Sequence, residues 1–170
     1  MYNFIRTIYA NILIKCGKAI DIWSGKPYPS YALSNLCHNE FDYDGVHGGS
    51  MEGFLQSLKR KDESVQLANC AMEERSAKKQ STSEWQADQV IYWKGKELKR
   101  QSEEYWALLQ GAYEAMSQQC ELFRNALLST KDKKLYHLKG VKDPTKTILT
   151  EKEFCTLLTE LRDKHLNDWQ

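Results

Sequence analysis

Apolar positions near the end of the chain recur at helical spacing. Phe154, Leu157, Leu158 and Leu161 fall on one face, the pattern of an amphipathic helix. Thr150 and Glu153 precede them with the Thr-x-x-Glu spacing of a capping box, so the helix should start just after Thr150. Tyr105, Leu108, Leu109, Ala112 and Met116 predict a helix over 102–117, and further helices are expected over 120–128, 50–60 and 62–72. Strand signals are short and scattered. They cover 41–43 before Asp44-Gly45, the alternating stretch 20–23, and 134–138. Pro27 and Pro29 keep 25–29 a turn-rich connection. Residues 1–20 are apolar but broken by Arg6 and Lys15, which predicts a short helix packed on the domain rather than a membrane span. Helices outnumber strands, so the expected fold is α+β: a mostly helical single domain with a small β-sheet. The expected divisions are a helical extension over 1–19, the domain proper over 20–165 and a tail over 166–170.

Composition narrows the function. The 170 residues are 41% hydrophobic and 28% charged, which suits a globule and excludes a disordered chain. Lysine and arginine total 24 against 23 acids, a net charge of +1. General phosphate-backbone binding needs a far more basic surface, whereas a local basic pocket for a nucleotide phosphate is compatible with this balance. The five cysteines are odd in number, widely spaced and without a C-x-x-C pair. They read as reduced thiols of a cytoplasmic protein. His38, His47, His137 and His165 lie far apart without i, i+4 partners, so neither a metal nor another cofactor is expected, and no membrane partner.

The most informative stretch is Ser50-Met51-Glu52-Gly53-Phe54-Leu55-Gln56-Ser57-Leu58-Lys59. Ser50 is a plausible N-cap, and Met51, Phe54, Leu55 and Leu58 should face inward. Glu52, Gln56 and Lys59 then share one polar stripe. The ordinary account is a solvated face with an acid in its first turn, where it complements the helix dipole. The sharper account makes Glu52 a general base or a counter-charge for a cationic transition state. Upstream, Ser34-Asn35 offers short hydrogen-bonding side chains for sugar hydroxyls or a base edge, with turn capping as the ordinary alternative.

These pieces together resemble the NADAR family, also called YbiA-like. The resemblance is carried by Leu33-Ser34-Asn35, Phe41 to Gly45 and Ser50-x-Glu52-Gly53-Phe54-x-Gln56-x-x-Lys59. It continues through Trp85 to Arg100, Ser102 to Tyr105, Ala112-Tyr113, Phe123 to Thr130, His137, Asp143-Pro144, and Thr147 to Arg162. Two departures stand out. Leu36 replaces the usual aromatic, and Asp143-Pro144-Thr145 stands near the place of an absent Trp-Gly-Asp-Gly stretch.

The resemblance implies the NADAR fold and an N-glycosidase that hydrolyses a ribosyl C–N bond. Its substrate would be ADP-ribosyl-guanine or a related nucleotide, free or carried on nucleic acid. The alternatives are phosphoribosylated riboflavin-pathway intermediates, or a module that binds ADP-ribose or a nucleotide without turnover. Cleavage builds oxocarbenium character on the ribose, which a fixed carboxylate stabilises while activating water. Glu52 is the chosen carboxylate. Asp143, with Asp44 as a second candidate, would protonate the leaving nitrogen. Lys59, with Lys26 as a second, would capture the opened sugar as a Schiff base. Ser34, Asn35 and Gln56 would hold substrate, Trp85 or Trp93 would stack on the base, and Arg100 would either bind a phosphate or pair with Glu104 on a helix surface.

Overall fold

The computed structural model describes residues 2–168. The elements run α1 (Tyr2–Lys15), β1 (Ala19–Asp21), β2 (Phe41–Tyr43), β3 (Val46–Gly48), α2 (Met51–Ser57), α3 (Glu63–Cys70) and α4 (Glu74–Lys79). After a 3-10 turn (Glu84–Gln86) come β4 (Val90–Trp93), β5 (Lys96–Lys99), α5 (Glu103–Gln119), α6 (Glu121–Ser129), β6 (Lys134–Tyr136) and α7 (Glu151–Asp168). The α+β class is as expected, a mostly helical chain with little sheet. That sheet is three separate two-stranded ladders: β1 with β6 in parallel, β2 with β3 and β4 with β5 antiparallel. The β2–β3 ladder packs against α5 and α3, the β1–β6 ladder against α1 and α7, and the β4–β5 ladder against α5 and the 3-10 turn. Strands of three or four residues between these helices do not join into one sheet.

Both hairpins turn on two residues at positive φ. Asp44 (φ 52) and Gly45 (φ 75) join β2 to β3, and Lys94 (φ 49) and Gly95 (φ 75) join β4 to β5. That geometry matches the right-handed twist of the flanking strands. The capping box at Thr150 forms reciprocally. The Glu153 amide donates to Thr150 Oγ1 at 3.2 Å, and the Thr150 amide donates to Glu153 Oε2 at 2.7 Å. Behind it Phe154, Leu157, Leu158 and Leu161 enter the core, where Tyr105, Leu109, Ala112 and Met116 of α5 meet them. α7 continues through residues 166–168, the start of the expected tail; residues 169 and 170 lie outside the described residues. No helix among the described residues is long and apolar enough to cross a membrane, and the five cysteines form no disulfide with one another.

α2 is seated by glycine. A Cβ on Gly53 would lie 2.5 Å from the Met72 carbonyl oxygen and 2.6 Å from that of Cys70. One on Gly49 would lie 2.5 Å from the Ala71 oxygen. The start of α2 therefore rests directly on the backbone that ends α3, at a distance no other residue permits.

Candidate active site

The first turn of α2 aims Glu52. Ser50 Oγ accepts from the Gly53 amide at 3.1 Å and donates to the Met72 carbonyl at 2.9 Å, fixing the helix start. The Glu52 amide donates to the Asn35 carbonyl at 2.8 Å, which brings the 33–36 loop against it. One turn on, Gln56 Nε2 donates to Glu52 Oε1 at 2.8 Å. The stripe is not a solvated face: Gln56 is only 5% exposed and Lys59 9%. Gln56 Oε1 is buried with no partner among the described residues. Lys59 Nζ donates to Ser81 Oγ at 3.2 Å. Burial lowers the Lys59 ammonium from its ordinary 10.5 to about 8; Glu52 opposes that shift and Arg60 adds to it.

This stripe is one wall of a cleft of about 540 Å³. The opposite walls come from 81–86, with Trp85, and from 137–141 and 146–149. A lobe of about 240 Å³ adjoins it, walled by Trp23, Ser34 and Leu36; Asn35, Glu52 and His137 line both. Lys78, Lys139 and Lys146 add cations around the one carboxylate. His137 Nδ1 sits 2.6 Å from the Ile22 carbonyl oxygen. A carbonyl only accepts, so Nδ1 carries the proton and, in the neutral ring, Nε2 is an acceptor. A larger cavity of about 900 Å³ opens between α1, β6 and α7, but its buried carboxylate, Glu151, is already paired with Arg6. The smaller cleft carries the unmatched Gln56 Oε1 beside Glu52, and the candidate site is placed there.

The structure brings Ser34, Asn35, Glu52, Gln56, Lys59 and Trp85 to this cleft and its lobe. Ser34 Oγ accepts from the Leu36 amide at 3.3 Å, Asn35 Oδ1 accepts from the Tyr113 hydroxyl at 2.7 Å, and Trp85 Nε1 donates to the Thr82 carbonyl at 3.1 Å. Three residues lie elsewhere. Trp93 packs on Phe54 with ring centroids 5.1 Å apart and donates to Asp44 Oδ2 at 3.0 Å; it is a core residue. Arg100, 1% exposed, is clamped by Glu153 at 3.0 and 2.7 Å and by the Thr147 carbonyl at 3.0 Å. Its guanidinium is thus taken up by an acid 53 residues away, not by phosphate or Glu104. Asp143 is exposed, and its Oδ1 closes a local turn by accepting from the amide and hydroxyl of Thr145, which lowers its pKa.

Sequence reasoning missed Trp23, Lys78, His137, Lys139 and Lys146 as site residues. His137 lay within the family-like pattern, but its spacing to other chemistry was uninformative because Ile22 and Glu52 approach it only through folding. Lys139 Nζ stands 3.5 Å over the Trp23 ring, a cation–π contact that no local pattern announces. Among the described residues, Glu52 and His137 are the only metal-binding types of side chain lining the cleft, fewer than the three protein ligands of a catalytic zinc site. Elsewhere among the described residues, His38, Glu40 and Glu73 cluster on the surface. The two acids there face opposite ring nitrogens, at 3.4 and 3.2 Å.

Comparison with known proteins agrees with this architecture. The family described as "Bacteriophage protein GP30.3" matches residues 27–163. An uncharacterised 17.1 kDa protein in the Gp30-rIII intergenic region of enterobacteria phage T4 is 34% identical over 147 residues, covering 85% of this chain and 97% of its own. Among solved structures, the NMR structure of the E. coli protein YbiA superposes with a TM-score of 0.60 at 17% identity, covering 89% of this chain and 87% of YbiA. At that identity the likeness is one of fold.

Proposed function

From the premise that the chain belongs to the bacteriophage GP30.3 family, a NADAR-type family with a YbiA-like fold, we propose that it is an N-glycosidase. It hydrolyses the ribosyl C–N bond of an N-ribosylated base. The observation that carries this reading is the Glu52 carboxylate, held by the Gln56 amide on the wall of a cleft where lysines stand among the neutral lining residues. As the C–N bond stretches, positive charge grows on the ribose ring oxygen and anomeric carbon, and Glu52 stabilises it and takes a proton from the attacking water. Lys59 is still largely charged at neutral pH and desolvated, so its ammonium is matched to protonating the leaving nitrogen, the role Asp143 is too far out to fill. His137 Nε2 accepts from a ribose hydroxyl or the water. Asn35 and Ser34 border the ribose and Trp85 the base.

The substrate class we favour is ADP-ribosyl-guanine or a related nucleotide, free or on nucleic acid in the cytoplasm. Two adjoining lobes meeting at Glu52 suit a substrate with bulk on both sides of the scissile bond, and Lys78, Lys139 and Lys146 suit its phosphates. Phosphoribosylated riboflavin-pathway intermediates are the second class, since they offer one phosphate and a smaller base. The test compares wild type and Glu52→Gln on both classes by release of free base. Loss of release on one class, with ligand still bound, supports the reading. Equal turnover by both proteins overturns it, and binding without turnover by wild type makes the cleft a recognition module. The lowered Lys59 also favours a Schiff-base route, in which its neutral amine attacks the anomeric carbon, the base departs with a proton, and water later frees the sugar. Borohydride trapping with mass spectrometry decides between the routes; an unmodified Lys59 excludes the covalent one.

A further inference from the structure

α1 is apolar on two opposite sides. Ala10, with Leu13 and Ile14, packs against Ala19, Tyr136 and Leu138. On the other side Ile5, Ile8, Tyr9 and Ile12 are 60%, 46%, 54% and 53% exposed. Their i, i+3, i+4, i+7 spacing makes one continuous stripe. This helix precedes the residues that the family match covers, and the candidate active site draws no side chain from it.

Charge indicates the partner. Residues 1–20 contain no acid, and their cations are Arg6, Lys15 and Lys18. Ile5 and Tyr9 form one wall of the 900 Å³ cavity, and the facing walls carry Lys133, Lys134, Lys152 and Arg162. Asp132 and Glu160 are the acids there not already paired with Arg6. An apolar wall opposite a cationic one fits an amphiphile with an anionic head. A second copy of the chain fits less well. A symmetric contact through this face would set the cations of the acid-free segment 1–20 and of the Lys133–Lys134 wall close to their own copies.

We propose that α1 lies on an anionic lipid surface, with its exposed stripe among the acyl chains and the Lys133–Lys134 side of the cavity against the headgroups. This association is superficial and needs no spanning helix; it departs from the expectation of no membrane partner, which rested on the lack of a spanning segment.

The test is co-sedimentation of the full chain with vesicles of phosphatidylcholine alone, or with about 30% phosphatidylglycerol added. Wild type should pellet with the anionic vesicles only, and release at high salt. Ile8→Ser/Ile12→Ser should lower the bound fraction about tenfold. Lys133→Glu/Lys134→Glu should do the same by a separate route. Circular dichroism of both variants should match wild type, since the altered side chains are exposed. Wild type left in the supernatant, or bound equally to neutral vesicles, overturns the proposal. So does a dimer in sedimentation equilibrium that Ile8→Ser/Ile12→Ser dissociates, which would make a second copy the occupant.

Discussion

Two buried polar clusters, Arg100 with Glu153 and Glu52 with Gln56 and Lys59, are built on opposite terms. Around Arg100 the partners are matched. The guanidinium donates to both Glu153 oxygens and to the Thr147 carbonyl, and it stacks 5.0 Å from the Tyr105 ring centroid. Glu153 in turn caps α7. Along α2 the matching is incomplete: Lys59 has the Ser81 hydroxyl, and Gln56 Oε1 has no partner among the described residues. A fully matched buried charge holds structure together. One left short of partners beside a cavity is available to a ligand.

The largest effect expected of any variant belongs to the second cluster. Glu52→Gln should cost about 10²–10⁴ in turnover with a smaller change in urea unfolding than Arg100→Met, because the new amide oxygen still accepts from Gln56 and Lys59 loses only one nearby counter-charge. The first cluster should behave the other way round. Arg100→Met strands Glu153 and should cost about 3–5 kcal/mol in urea unfolding, with turnover per folded molecule retained. Arg100→Met/Glu153→Gln should restore part of that stability. If Arg100→Met removed turnover as Glu52→Gln does, the contrast would be broken.

Lys59 sharpens the comparison through pH. Burial lowers its folded-state pKa to about 8 from the ordinary 10.5. The folded state therefore carries the full cost of a buried ammonium below about pH 8, and sheds it as pH rises toward the unfolded value. Wild-type stability should gain on the order of 3 kcal/mol from this group across that window. Urea unfolding of Lys59→Met should show no such rise. The smallest effect is Trp93→Phe. Losing the indole bond to the half-exposed Asp44 and part of a buried ring should cost about 1–2 kcal/mol and leave base release intact. It should also bring the Asp44 carboxyl, held low first by Trp93 and then by Lys94, back toward its ordinary range in an NMR titration.

What the chain revealed in advance was local. The Thr150–Glu153 box, the inward face of α2 and the α5 stripe are set by residues three or four apart, and all are present in the structure. The same local logic placed Glu52, Gln56 and Lys59 together. It did not say whether that stripe met water or a cavity, because the answer depends on 137–149 crossing over it. The parallel pairing of β1 with β6 joins residues such as Ile20 and Leu135, and no local period encodes it. Arg100 and Trp93 were misplaced for a related reason. A guanidinium or an indole looks the same in sequence whether its partner is Glu153, Asp44 or a substrate.

The glycines beneath α2 set what variation around the cleft can achieve. Because main chain touches main chain at Gly49 and Gly53, the backbone that carries the carboxylate is set without neighbouring side chains, and the Gln56 amide steers its tip. Mutation is free to redraw the surrounding walls, made of loops and long flexible lysines, and so exchange one substrate for another. The carboxylate proposed to react stays anchored, which would let a lineage drift in what it recognises while the proposed chemistry holds still.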